Sequence, residues 1–188
     1  MKILGINGVG THGSDTTDVL LHELAKLGHE TIDANYRTTR LFRFQTYDRG
    51  RQFEDALFIA NNYWEPDCAV IAHSRGGLVL WRMLEIGFHF STIFLFRPAI
   101  NKDFILPLHQ VYMNCIYRPD DRAIKWASRL PFNDFGNAGR FGIDDDRVIN
   151  IRADRYLNSE FWKHSDDFMY PQVAKWATFI DGRMKTLQ

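Results

Sequence analysis

The stretch Val70-Ile71-Ala72-His73-Ser74-Arg75-Gly76-Gly77 decides how this chain reads. An apolar run gives way to a serine and two glycines, and a helical pattern then runs over 76–88. A serine at a sharp strand-to-helix turn carries its hydroxyl outward, and the turn accepts only small neighbours. Gly76 and Gly77 meet that requirement, and Ala72 stands where the G-x-S-x-G pattern has its first glycine. Ser74 is therefore a candidate nucleophile. The plain alternative is a serine capping an ordinary helix.

Outward from this turn, apolar β-rich runs recur at 2–6, 30–34, 68–72, 92–96, 111–117 and 147–152. Helical patterns lie between them. Val19, Leu20, Leu24 and Leu27 fall near helical spacing, with Asp15 and Asp18 before them and Gly28 after. Similar patterns occupy 52–63, 76–88, 122–130 and 171–180. Strands alternating with helices imply an α/β fold of three αβα layers, here with a mostly parallel six-stranded sheet. The continuous apolar character of Ala69-Val70-Ile71 and Ile93-Phe94-Leu95-Phe96 fits strands covered on both faces.

The chain has 188 residues, 45% of them apolar, enough for one core, and a single domain over 1–188 is expected. Its 23 basic and 23 acidic side chains cancel, so no overall field favours nucleic acid or an anionic membrane. The N-terminal apolar run is shorter than the roughly 7–15 residues of a signal core. No stretch approaches the roughly 20 apolar residues of a membrane span. Cys68 and Cys115 both sit in apolar runs as buried free thiols would. A cytoplasmic protein without disulfide or integral membrane segment is expected. The sequence gives no reading of oligomeric state.

Serine attacks well only when a base takes its proton and a third group orients that base. After Ser74 come His89, His109 and His164, and only His164 follows the plausible acids. It lies between the last strand and the last helix, where a loop can return it to the sheet edge. His73 adjoins the serine, but neighbouring side chains at a tight turn point apart. For the acid, Asp120 and Asp121 both follow the fifth strand, and position alone does not choose between them. Asp144-Asp145-Asp146 precedes the last strand and reads as a solvated turn at the opposite edge. The loop Asn7-Gly8-Val9-Gly10-Thr11-His12-Gly13 can supply a backbone N–H to an oxyanion. Its G-x-G-x-x-G spacing would also suit a nucleotide phosphate, but Asp33 comes too early to end the second strand as that fingerprint requires.

With these residues in this order, the sequence resembles the small bacterial lipases, which represent a minimal, nearly lidless α/β-hydrolase. The A-H-S-x-G-G elbow of those lipases is matched by Ala72 to Gly77. Their Y-x-x-x-D-x-x-V pattern is matched by Tyr117 to Ile124 with isoleucine last, and the resemblance implies Asp121 as the acid. Their H-G-x-G loop is matched by Asn7 to Gly10 except for asparagine at the first position, which implies the Val9 and Arg75 amides as oxyanion donors. In the family the histidine follows the last strand almost at once, whereas 153–163 intervenes here as a small lid, a pocket wall or a plain surface helix. The segment 131–146 is expected at the opposite edge, without a catalytic role.

Ligands of open α/β sheets bind beyond the carboxyl ends of the strands. Arg37, Arg75, Arg97, Arg118 and Arg152 each follow a strand or the nucleophile, an arginine rim suited to a carboxylate or phosphate. Tyr156 and Trp162 of the inserted segment are further candidates for substrate contact. The alternative is that Asp120, Asp154 and similar neighbours pair with these arginines. The implied activity is cleavage of a small-molecule carboxylic ester through an acyl-enzyme on Ser74. No cofactor or metal is expected, since the seven histidines do not cluster with cysteines or carboxylates at ligand spacings. Thioesterases, amidases and acyltransferases use the same constellation, and a non-catalytic binding module on this fold is the alternative from another class.

Overall fold

Strands covered on both faces need apolar side chains at successive positions, which 69–72 and 93–96 supply. The computed structural model describes residues 1–8, 16–34, 36, 49–110, 112–129, 135–157 and 163–186. In it these runs form β3 (Ala69–His73) and β4 (Ile93–Phe96) at the centre of a sheet. The others are β1 (Lys2–Ile6), β2 (Glu30–Asp33), β5 (Met113–Tyr117) and β6 (Val148–Arg152). The order is β2-β1-β3-β4-β5-β6, and every neighbouring pair is parallel.

Because side chains alternate along a strand, the sheet builds two cores. Leu4, Val70, Ala72, Ile93, Leu95 and Cys115 point to one face. There they meet α2 (Arg49–Tyr63), α3 (Gly76–Glu85), α4 (Arg122–Ala127) and α5 (Ala138–Phe141) through Ile59, Val79, Ile124 and Ala138. Ile3, Ala69, Ile71, Phe94, Phe96 and Ile116 point to the other. They meet α1 (Thr17–Lys26), α6 (Ala153–Leu157) and α7 (Gln172–Thr186) through Leu20, Leu157 and Trp176. Both cysteines are free and buried.

Register sets the working edge. Ile6 pairs with Ala72, and His73 with Phe96, so Asn7, Ser74 and Arg97 leave the sheet side by side. The chain reverses direction across the sheet between β1 and β3, the switch point at which open α/β sheets bind ligands.

Two expectations are corrected. The segment 131–146 does not lie wholly at the opposite edge. The Gly136, Ala138 and Gly139 amides donate to the Ala99, Ile100 and Pro98 carbonyls at 2.8, 2.9 and 2.9 Å, and the Arg118 amide donates to Gly139 at 2.9 Å. That lays 136–139 along the chain leaving β4, at the edge that carries Ser74; residues 131–134 are outside the described set. Glycine makes this close approach possible, since a Cβ at Gly139 would stand 2.7 Å from the Arg97 carbonyl carbon. The second correction concerns Asp33, which does end β2.

Candidate active site

Ser74 takes a left-handed backbone, φ 53°, directly after β3. A non-glycine residue there costs energy and turns the chain sharply. The surroundings hold it: the Ser74 amide donates to the Phe96 carbonyl at 3.1 Å, while its own carbonyl accepts from Gly77 and Ala99 at 3.1 and 3.0 Å. The two glycines let α3 start close against the sheet. A Cβ on Gly76 would run into the Ile6 carbonyl and stand 2.8 Å from that of Asn7, and one on Gly77 would stand 2.9 Å from Pro98 Cβ.

His164 and Asp121 meet directly, with Nδ1 2.6 Å from Oδ2. Asp120 instead accepts from Arg118 Nε at 2.7 Å, so the geometry separates the two aspartates that position left equivalent. Asp121 is fully buried in its side chain and also caps α4, its Oδ1 accepting from the Ile124 amide at 3.0 Å. Burial alone would push its carboxyl up. The hydrogen bond and charge of His164, the Ile124 amide and the Arg97 guanidinium together hold it below the ordinary carboxylate value. On the far side of the ring, His164 Nε2 is buried without a hydrogen-bond partner among the described residues. A buried ring nitrogen left open in this way is available to accept a proton from a hydroxyl.

His73 has a place other than that of the base. Its ring is buried, 4.6 Å from the His164 ring and 4.9 Å from that of Phe168. Burial, and then the nearby charges of His164 and Arg97, push its pKa well below the usual histidine value. It acts as an uncharged wall for the imidazole that Asp121 holds.

The start of the first loop lies against Ser74. A Cβ on Gly8 would stand 3.0 Å from Ser74 Cβ. Asn7, standing where the resemblance has histidine, is built into a network. Its Oδ1 accepts from Thr16 Oγ1 at 2.5 Å, from the Thr17 amide at 3.2 Å and from Thr17 Oγ1, and its Nδ2 donates to Asp33 Oδ1 at 2.9 Å. Tyr36 donates its hydroxyl to the Asn7 carbonyl. The carboxylate at the end of β2, which a dinucleotide site would present to a ribose, is thus bonded to Asn7. Val9 and the loop's later glycines lie outside the described residues. The Arg75 amide opens α3 beside Ser74, while the Arg75 side chain is buried on Asp55 at 2.7 Å, below Tyr36.

The arginine rim is corrected. Arg118 is buried and paired with Asp120, and Arg152 grips Asp154 through Nε and Nη2, both at 2.9 Å. Arg97 is buried with Nε 2.6 Å from Asp167 Oδ2. Each guanidinium meets a carboxylate of the chain itself, so Arg75, Arg97, Arg118 and Arg152 do not form an uncompensated positive edge. Arg37 and Trp162 lie outside the described residues. Tyr156 does not face the histidine: α6 begins directly after β6 and stacks the Tyr156 ring on Trp176 at 4.7 Å. A cleft of about 590 Å³ runs along α3 between Arg49, Leu78, Trp81, Arg82 and Asn101, and neither Ser74 nor His164 lines it.

The fold has clear relatives among solved structures. Mouse alpha/beta hydrolase domain-containing protein 10 aligns over 100% of this chain and 90% of its own, with a TM-score of 0.67 and 14% identity. A protein of the alpha/beta hydrolase superfamily from Xanthomonas campestris pv. campestris aligns over 96% and 98%, with a TM-score of 0.53 and 14% identity. Lipase B of Aspergillus fumigatus aligns over 92% of this chain and 50% of its own, with a TM-score of 0.56 and 12% identity. This chain therefore has the α/β-hydrolase fold, in a small form with an all-parallel sheet. No family model and no curated protein matches the sequence.

Proposed function

We propose that the chain is a serine hydrolase that cleaves carboxylic esters of small molecules through an acyl-enzyme on Ser74. The observation that carries this reading is one arrangement. A left-handed serine follows the central strand, and an imidazole packed against the ring of His73, the residue before that serine, is held by a buried aspartate with its other nitrogen open. In the reaction His164 Nε2 takes the Ser74 hydroxyl proton as Oγ attacks the ester carbonyl carbon, whose π electrons move onto oxygen. By resemblance, the Arg75 and Val9 amides donate to this oxyanion. Asp121 stabilises the imidazolium, which gives its proton to the leaving alkoxide as the C–O bond breaks. Water then attacks the acyl-enzyme by the same route, releasing acid and free serine.

Arg75, Arg97, Arg118 and Arg152 are each paired with a carboxylate of the chain and do not by themselves favour anionic esters, so substrate choice falls to pocket shape. Of the segment 153–163, the described residues 153–157 form α6, which Tyr156 and Leu157 fix to the domain, and 158–162 lie outside the described residues. A panel of activated esters and thioesters varied in acyl length and charge, assayed with the wild type and Ser74→Ala, tests the reading. Hydrolysis of neutral esters that Ser74→Ala lowers by about 10³-fold or more supports it. Thioesters turned over in preference would keep the nucleophile and change the leaving group. Equal rates in both proteins would exclude Ser74 as nucleophile.

A further inference from the structure

Arg97 ends β4 in left-handed backbone, φ 44°, and its side chain is 1% exposed. An arginine held in a backbone better suited to glycine, and kept out of water, needs specific partners. It has three. Nη1 donates to the Lys163 carbonyl at 2.6 Å, the residue before His164. The same nitrogen lies 3.6 Å from Asp121 Oδ2, the oxygen that meets His164 Nδ1. Nε lies 2.6 Å from Asp167 Oδ2, in the single-turn 3-10 helix Asp166–Phe168 just after the histidine. That turn is tied down on both sides, Asp166 Oδ2 accepting from the Lys163 amide at 2.6 Å and Asp167 Oδ1 from Trp176 Nε1 at 3.4 Å.

We propose that Arg97 is a positioning residue that clamps the segment 163–167 onto Asp121, and that the buried Arg97–Asp167 pair sets the field in which His164 gains and loses its proton. This rests on the serine-hydrolase reading for its catalytic meaning, though not for its geometry. The groups around the imidazole come from four elements: His73 on β3, Arg97 after β4, Asp121 before α4, and Lys163, Asp166 and Asp167 around the histidine itself. His73 is uncharged there, so Arg97 is the buried cation among them and Asp121 and Asp167 are the carboxylates it balances. Removing the guanidinium leaves both carboxylates acting on the ring and favours the imidazolium. Removing the Asp167 carboxylate leaves the guanidinium less opposed and disfavours it. The two changes act in opposite directions on the same proton.

The test is the His164 imidazole titration, followed by NMR in the wild type, Arg97→Met, Arg97→Lys and Asp167→Asn, together with kcat and KM on an activated ester. Arg97→Met is expected to raise the titration midpoint and Asp167→Asn to lower it, with Arg97→Lys close to wild type. Arg97→Met should lower kcat by about tenfold or more while KM changes little, since the clamp acts on the base and not on substrate. Midpoints that stay put, or that move the same way in both variants, overturn the proposal. If Arg97→Met fails to fold, Arg97→Lys and Asp167→Asn still decide it, because a merely structural arginine predicts no shift in Asp167→Asn. Opposite shifts in the two variants, with Ser74 unreactive in the wild type, would uphold the clamp and sink the hydrolase reading instead.

Discussion

Asp121 performs two tasks with its two oxygens, one capping α4 through Ile124 and the other holding His164. The tasks separate by substitution. Asparagine caps as well as aspartate, so Asp121→Asn should cost little helix stability, whereas Asp121→Ala should lose about 1 kcal/mol of capping. Both should lower ester turnover by about 10²-fold or more, because neither supports the imidazolium. Equal activity in Asp121→Asn and the wild type would remove Asp121 from the site. At this scale the sequence was legible where partners are local. The pairings of Arg118 with Asp120 and Arg152 with Asp154 span two residues and were foreseeable as the alternative to an arginine rim. Those of Arg75 with Asp55 and Arg97 with Asp167 join distant elements, and no local pattern announces them.

Among the elements, the turn from β3 into α3 was readable because small residues, an apolar strand and a serine must occur together for the backbone to turn there. The approach of α3 to β1 has no slack, and Gly76→Ala forces its new methyl into the Ile6 and Asn7 carbonyls. That variant should lose about 1–3 kcal/mol or fail to fold. Gly182 in α7 is the control, exposed with nothing within 4 Å of an added Cβ, so Gly182→Ala should gain up to about 1 kcal/mol. Urea denaturation of both variants checks the contrast, and a stable Gly76→Ala would contradict the packing described. The placement of 136–139 was not readable. It depends on amides bonding to the carbonyls of 98–100, and main-chain bonds between distant segments leave no mark on side-chain pattern. The parallel sheet with helices on both faces was legible because twofold burial needs long apolar runs and parallel connections need helices.

For the molecule as a whole, the buried histidine wall couples stability to pH. Burial, with the charges of His164 and Arg97, keeps folded His73 neutral, while an unfolded histidine takes a proton near pH 6.5. Below that value the unfolded chain binds the extra proton, so stability falls as pH falls, by about 1.4 kcal/mol per unit for this group. Asp121 adds a second loss at lower pH: its folded value lies below the ordinary one, so its contribution is present above about pH 4 and disappears as pH drops through the folded value. Unfolding free energies from urea denaturation at pH 7.5 and pH 5 should therefore differ by about 2 kcal/mol, and His73→Phe should flatten that difference. An unchanged pH dependence in His73→Phe would assign the effect elsewhere.

The proposed chemistry turns on one hydroxyl at the edge of the sheet. Incubation with a fluorophosphonate, followed by intact mass and peptide mapping, reads its reactivity most directly. One adduct per chain is expected, on Ser74, formed rapidly by the wild type and lost in Ser74→Ala and His164→Ala. A folded wild-type protein that stays unmodified, or an adduct on another residue, would contradict it.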